Sequence, residues 1–325
     1  MHEVIDAVRA WFAAGKRVAL ATLVGTEGSS PRDPGAMFAI SDARDLAGAI
    51  SGGCVESDLV SAAESIFAGG MPQTLVFGPG DELDGGPTCG GTLHVVIREL
   101  DRATFDTFAA AEASDAPFAL TLTLDAPYAI RVLSDDDAIA GCDERTFVER
   151  FGPKPRLYIV GAGDVTRPLV TFATTLGYRV TIVDPRSAFA VASRFPGAEM
   201  VVEWPDEAFA HLPIDERTAI VSLVHDPKFD LPTIATALRS TAGYIGAMGS
   251  RGTTARRETA LREAGFGDAE LARLHAPIGL DIGSRSPEEI ALSIVAEIVA
   301  SRRGGGGNSL KGTNGPLRSR ALANA

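Results

Sequence analysis

The sequence predicts an α/β protein in which an N-terminal α+β domain is followed by a Rossmann-like domain with a doubly wound parallel sheet. Three observations carry this. The chain has 325 residues, enough for two domains at about 100–200 residues each. Its first part holds many short apolar runs separated by Gly- and Pro-rich turns, with few helical segments. Its later part alternates apolar strands with amphipathic helices, beginning with a strand that runs into a glycine turn. The expected boundaries are residues 1–145 for the first domain, 146–155 for a linker, 156–302 for the second domain and 303–325 for a disordered tail.

In the first domain, Val18–Val24, Met37–Ile40 and Leu46–Ile50 have the apolar, β-branched character of strands. Between the first two lies GTEGSSPRDPG, residues 25–35, a loop dense in turn residues. A glycine pair at residues 52–53 opens a helix from about Val55 to Phe67. Leu75–Phe77 and Leu93–Arg98 are further strands, and Phe118–Leu124 with Tyr128–Leu133 predicts a hairpin. The FGPKP segment at 151–155 cannot continue a helix past its prolines and marks the linker. The second domain starts with the strand Leu157–Val160, the Gly161-Ala162-Gly163 turn and a helix to about Leu176. Arg179–Val183, Met200–Val202, Ala219–Leu223 and Tyr244–Ile245 are its later strands. Its later helices are Asp230–Ser240, Gly252–Ala264 and Pro287–Ser301, the last with Ile290, Ile294, Val295, Ile298 and Val299 along one face. From Arg303 the chain is too Gly-rich and polar to bury a core.

Composition narrows the function. A formal charge of −12 argues against nucleic acid, which needs a basic footprint, and against an anionic membrane surface. No apolar run reaches the length of a transmembrane helix, and the N-terminus lacks the pattern of a signal peptide. Three cysteines, Cys54, Cys89 and Cys142, are too few and too scattered for a disulfide framework, and fit a reducing cytoplasm. Gly-x-Ser-x-Gly, Walker and HExxH motifs are absent from the sequence.

Several constellations remain as candidates. Gly161 and Gly163 permit close approach of a phosphate to backbone N–H groups at a helix N-terminus. Asp184 ends the second strand, where a carboxylate meets a ribose hydroxyl. Thr166 replaces the third glycine of the usual fingerprint, which would loosen the helix–strand packing. The alternatives are a nucleotide or NAD(P) in this crevice, or a crevice that holds something else. Gly52 and Gly53 precede Cys54 at a helix N-terminus, a place that favours thiolate; Cys54 is then either a sulfur or cofactor contact or an inert buried thiol. Cys89 sits in a second glycine-flanked turn. Ser30 and Arg32, in the long loop, could present a hydroxyl and a guanidinium to an anion, or belong to a plain surface loop. In the second domain His225, Gly249, Ser250, Arg251 and Asp281 follow strand ends, where open α/β sheets bind ligands. His225 is either an acid–base group or a loop hydrogen-bonder. Ser250 and Arg251 suit phosphate, and Asp281 suits a ligand hydroxyl. No metal site is expected.

Taken in order, these motifs resemble the XdhC/CoxI family of molybdenum hydroxylase accessory proteins. The matching segments are GSSPRDPGA (28–36), SGGCVE (51–56), CGG (89–91), VGAGDV (160–165), VDPR (183–186), HD (225–226), YIGAMGSR (244–251) and HAPIGLDIGSRSPEEIALSIVAEI (275–298). The resemblance implies a chaperone for the molybdenum cofactor, in its molybdopterin or cytosine dinucleotide form. It also implies an apo molybdenum hydroxylase and a cysteine desulfurase as partners, a homodimer, and cofactor contacts by Cys54 and Cys89. An NAD(P)-dependent oxidoreductase, with His225 as acid–base group, is the competing expectation.

Overall fold

The structure is a computed structural model that describes residues 4–78, 91–114, 116–134, 145–224 and 226–311. The chain divides into two compact units, Met1–Pro153 and Lys154–Ala325.

The first unit is built on a five-stranded antiparallel sheet in the order β3-β2-β1-β5-β4. Its strands are β1 (Val18–Glu27), β2 (Met37–Ser41), β3 (Leu46–Gly48), β4 (Gln73–Phe77) and β5 (Thr92–Leu100). Successive side chains point to opposite faces, so each central strand feeds two cores. Ala19, Ala21 and Leu23 of β1, with Leu93, Val95 and Ile97 of β5, meet helix α2 (Glu56–Phe67) through Leu59, Ala63 and Ile66. Val18, Leu20, Val96 and Leu100 face the other way, toward α1 (Ile5–Ala13) and α3 (Arg102–Ala113). That second core also takes the inner face of a three-stranded antiparallel sheet, β7-β6-β8, made of β6 (Phe118–Thr123), β7 (Ile130–Ser134) and β8 (Thr146–Phe151).

Strand β8 corrects one expectation. Residues 146–151 do not belong to a linker: they pair antiparallel with β6, Phe118 opposite Phe151, and Phe151 stacks on Phe118. The prolines begin only after the strand has ended, so they mark the true unit boundary rather than a long connection. Helix α3 is a further element that the sequence pattern does not predict; its N-cap Asp101 accepts from the Thr104 amide at 2.8 Å.

The second unit is a six-stranded, all-parallel sheet in the order β11-β10-β9-β12-β13-β14. The strands are β9 (Arg156–Val160), β10 (Arg179–Val183), β11 (Ala198–Val201), β12 (Thr218–Ser222), β13 (Tyr244–Ala247) and β14 (Leu274–His275). Helix α4 (Thr166–Thr175) and the last helix, α9 (Pro287–Arg303), cover one face through Leu169, Val170, Ala173, Ile294, Val295 and Ile298. Helices α5 (Pro205–His211), α6 (Pro227–Arg239), α7 (Arg251–Glu263) and α8 (Asp268–Leu271) cover the other. Sheets buried on both faces carry continuous apolar strands, as Leu157–Val160 and Ala219–Val221 do.

Helix α9 shows how locally the sequence fixes its ends. Ser286 accepts from the Glu289 amide while Glu289 accepts from the Ser286 amide, Pro287 occupies the first helical turn, and Gly304 closes the helix in the left-handed region. This is a complete set of start and stop signals. Val299, expected on the buried face, is 37% exposed; Ala291 and Ser293 are buried instead. Residues 304–311 lie exposed beyond this helix. The remainder of the expected tail, 312–325, lies outside the described residues.

Candidate functional site

The strand order of the second unit reverses direction between β9 and β12. At such a point two loops leave the carboxyl ends of neighbouring strands in opposite directions and open a crevice. A cavity of about 290 Å³ lies there, lined by Gly161, Gly163, Arg186, Leu223, Val224 and Asp226. Gly161 has φ +108°, and a Cβ there would lie 2.6 Å from a Val224 methyl. Gly163 is exposed, with open space where its Cβ would be. The Gly163, Asp164 and Val165 amides make no hydrogen bond among the described residues. They stand at the N-terminus of the ten-residue α4, where unpaired N–H groups and the helix dipole attract an anion.

Thr166 does not loosen this turn. It is fully buried and its hydroxyl donates to the Gly161 carbonyl at 2.6 Å. A side chain thus does by hydrogen bonding what the missing glycine does by close packing.

Asp184 departs furthest from expectation. It is 1% exposed, and its two oxygens accept four hydrogen bonds from the chain itself. These come from the Ala162 amide at 2.9 Å, the Arg186 amide at 3.0 Å, and Arg186 Nε and Nη2 at 2.9 and 2.7 Å. Burial alone would raise its pKa, but the Arg186 fork and the two amides outweigh burial and hold it below the usual carboxylate range. Its acceptor sites are spent on bracing the glycine turn and orienting Arg186. The group that reaches the crevice is therefore Arg186, a residue that sequence reasoning alone does not single out. Its side chain is 41% exposed and its guanidinium lies over the rings of Phe189 and Phe229, 4.6 and 5.3 Å from their centroids. The detectable signal is the fork partner two residues past the carboxylate.

The remaining candidates in this unit also stand at strand ends. Ser250 caps α7, accepting from the Thr253 amide at 3.1 Å, so one of its acceptor sites is used locally. Arg251 opens that helix, its exposed side chain making no hydrogen bond among the described residues. Gly249 packs against Thr253 and stands near Arg257. Arg257, only 4% exposed, forks onto buried Asp230, which also accepts from Ser222 at 2.6 Å. Asp281 is exposed and makes no hydrogen bond among the described residues. Its loop is anchored by Glu297, which accepts from the Gly279 amide at 2.7 Å and from the Tyr244 hydroxyl at 2.6 Å. His225 lies outside the described residues.

In the first unit, the SGGCVE segment folds around one carboxylate. Glu56 accepts from the amides of Ile50, Ser51, Gly52, Gly53 and Val55 and from the Ser51 hydroxyl, at 2.7–3.2 Å. Burial opposes ionisation, but these donors prevail and bring its pKa down to about 2. Gly52 and Gly53 adopt φ +88° and +128°, which lets consecutive amides converge on one point. The Gly52 and Gly53 amides thus turn onto Glu56. Cys54 precedes the helix, its amide bound to Ser51 Oγ at 2.9 Å; its side chain is half-buried against the same core that α2 covers.

Ser30 donates to the Arg32 carbonyl at 2.6 Å, and Arg32 is half-buried. Their loop is pressed against Gly91, where a Cβ would lie 2.0 Å from the Ser29 carbonyl oxygen. Cys89 and Cys142 lie outside the described residues. A separate cavity of about 190 Å³, lined by Val24, Gly25, Thr74, His94 and Leu124, has no motif to announce it in the sequence. His94 stands 3.4 Å from Glu27 there, as a lone histidine within an apolar strand.

Among the described residues, no helix is long and apolar enough to cross a membrane.

Comparison with known proteins agrees with this architecture. Residues 157–298 match the XdhC Rossmann domain, and residues 11–78 match the XdhC and CoxI family. The chain is similar to a probable xanthine dehydrogenase subunit of Bacillus subtilis, 27% identical over 93% of this chain and 97% of that protein. It is likewise 27% identical to the molybdenum cofactor insertion chaperone PaoD of Escherichia coli, over 89% of this chain and 85% of that one. Among solved structures, a xanthine dehydrogenase from Bacillus halodurans superposes with a TM-score of 0.81 at 26% identity, covering 96% of this chain and 98% of that chain. With the glycine turn, the switch-point crevice and the SGGCVE loop all in place, the chain belongs to the XdhC and CoxI family.

Proposed function

We propose that this protein is a chaperone that binds the molybdenum cofactor as cargo and inserts it into an apo hydroxylase of the xanthine dehydrogenase or CO dehydrogenase type. The observation that carries the reading is the switch-point crevice, where unpaired amides at the start of α4 stand beside the Arg186 guanidinium. This suits the phosphate that every form of the cofactor carries, whether the simple pterin or the cytosine dinucleotide. Similarity to a protein named as a molybdenum cofactor insertion chaperone, over most of both chains, supports the same reading.

Further parts of the proposal rest on the family likeness. The protein works in the cytoplasm, as a homodimer, and meets a cysteine desulfurase as well as the hydroxylase. Cys54, held before α2 by the Glu56-centred loop, contacts the cofactor or its sulfur. Cys89 has the same proposed role.

The competing NAD(P) reading draws no support from Asp184, because the carboxylate that would accept a ribose hydroxyl is saturated by Ala162 and Arg186.

The test is bound molybdenum and oxidised-pterin fluorescence on protein purified from cells that make the cofactor. Near-stoichiometric pterin and metal are expected, with large loss in Arg186→Met. Cys54→Ala should keep the pterin and lose sulfur. Folded, pure protein that takes up no pterin, even when incubated with released cofactor, overturns the reading.

A further inference from the structure

We infer that the outer face of helix α9 pairs with the same face of a second copy of this chain, antiparallel about a twofold axis. Leu292, Ala296 and Val299 form the seam, and Glu288 with Arg303 closes its two ends. This pairing deepens the homodimer of the proposed function, and rests on that reading for its setting, by assigning the surface that makes it.

The seam is the first part. Helix α9 buries Ala291, Ile294, Val295 and Ile298 against its own sheet and α4. On its other side Leu292 and Val299 are 48% and 37% exposed, seven residues apart, with Ala296 half-buried between them. At about 3.6 residues per turn these three fall on one line along the outer surface. A single exposed apolar residue needs no partner, but a line of them spaced in this way is the narrow seam that a second helix covers. The exposure of Val299 then has a cause.

The charges are the second part. Glu288 in the first turn and Arg303 in the last carry the same line to the ends of the helix. Both are exposed, and neither makes an ion pair among the described residues. A chain of net charge −12 repels a second copy over most of its surface. Here, opposite charges stand at the two ends of an apolar line.

The order of these residues selects the partner and its direction. In a twofold contact residue i meets residue j of the second copy, and j meets i. With the axis passing between Val295 and Ala296, Leu292 comes level with Val299 of the second copy, and Glu288 with Arg303 of the second copy, each pair formed twice. The small Ala296 stands beside the axis, where helices about 8–10 Å apart leave least room. The antiparallel helix dipoles add to the attraction. A parallel pairing would instead set Glu288 against Glu288 and Arg303 against Arg303.

The experiment is sedimentation velocity of the full chain over a concentration series, which reads association of the 33.9 kDa subunit. A dimer is expected for the wild type. Leu292→Glu, at an exposed position of the folded chain, should keep the helix content and weaken association at least about a hundredfold. Glu288→Arg and Arg303→Glu each turn two attractive pairs into two repulsive ones and should weaken it about tenfold. Combining both changes in one chain restores opposite charges at each end and should return association to within about threefold of wild type. Damage to the helix ends alone would persist in that double variant, so recovery reports contact across the axis. A wild type that stays monomeric at micromolar concentration refutes the pairing, as does a dimer that survives Leu292→Glu or a double variant no better than either single one. A monomer whose complex with the apo hydroxylase is lost in Leu292→Glu also refutes it, and assigns the seam to the hydroxylase instead. Pterin uptake on the same preparations separates the two claims. A pterin-binding monomer loses the α9 pairing and keeps the chaperone reading; a dimer with the expected variant pattern that takes up no pterin does the reverse.

Discussion

Glu56→Gln isolates the device that shapes the Cys54 loop. Oε1 accepts from the amides of Ile50, Ser51 and Gly52, and Oε2 from those of Gly53 and Val55 and from the Ser51 hydroxyl. Glutamine keeps one oxygen and sets an NH₂ among the remaining donors. Lowering the pKa from 4.5 to about 2 corresponds to about 3 kcal/mol at roughly 1.4 kcal/mol per unit, and partial exposure cuts this to about 2 kcal/mol. Amide exchange of residues 50–56, read by mass spectrometry at neutral pH, should then accelerate about 30-fold, since 1.4 kcal/mol is roughly tenfold. The sign with pH follows from the direction of the shift. A carboxylate depressed in the folded state contributes fully above its unfolded pKa and loses that contribution as pH falls toward the folded value. Protection of the loop in the wild type should therefore decline between about pH 5 and about pH 2, and the variant should lack that decline. Exchange within about threefold of wild type, or an identical pH response, would show that the Glu56 carboxylate does not hold the loop.

Two further substitutions probe the second unit. Thr166→Val removes the hydrogen bond to the Gly161 carbonyl at a fully buried site while preserving shape. It should cost about 1–2 kcal/mol in the urea transition of that unit, with the first unit unaffected. Asp230→Asn leaves the buried Arg257 guanidinium without its counter-charge and should cost about 3 kcal/mol, seen as a lower melting temperature of the same unit.

Much of this architecture is legible in the sequence because local chemistry and global fold agree. The run from Leu157 through Gly161 to Asp184 spaces a strand, a turn, a helix and a second strand as a doubly wound sheet requires, and the strand Arg179–Val183 falls where expected. The prolines at 153 and 155 mislead by proximity: they follow β8 directly, and a short edge strand rich in charge gives little alternating signal. At the sites, residue type locates the loops but not the direction in which each side chain works. Asp184 at a strand end can turn outward to a ribose or inward to its own chain, and Arg186 two positions later makes the choice. Glu56 likewise looks like an ordinary acidic residue in a first helical turn, although the two preceding glycines let the loop wrap around it. His94 has no partner nearby in sequence; pairing of β1 with β5 brings it opposite Gly25 and near Glu27.

Transfer of cargo is measured by activation of an apo hydroxylase. Purified protein loaded with molybdenum cofactor is mixed with the cofactor-free enzyme, and hydroxylase activity is followed with free cofactor as the comparison. Faster and more complete activation is expected from the loaded protein, with loss of that advantage in Arg186→Met. Activation no better than with free cofactor, from protein shown to carry it, would mean that the protein does not deliver its cargo.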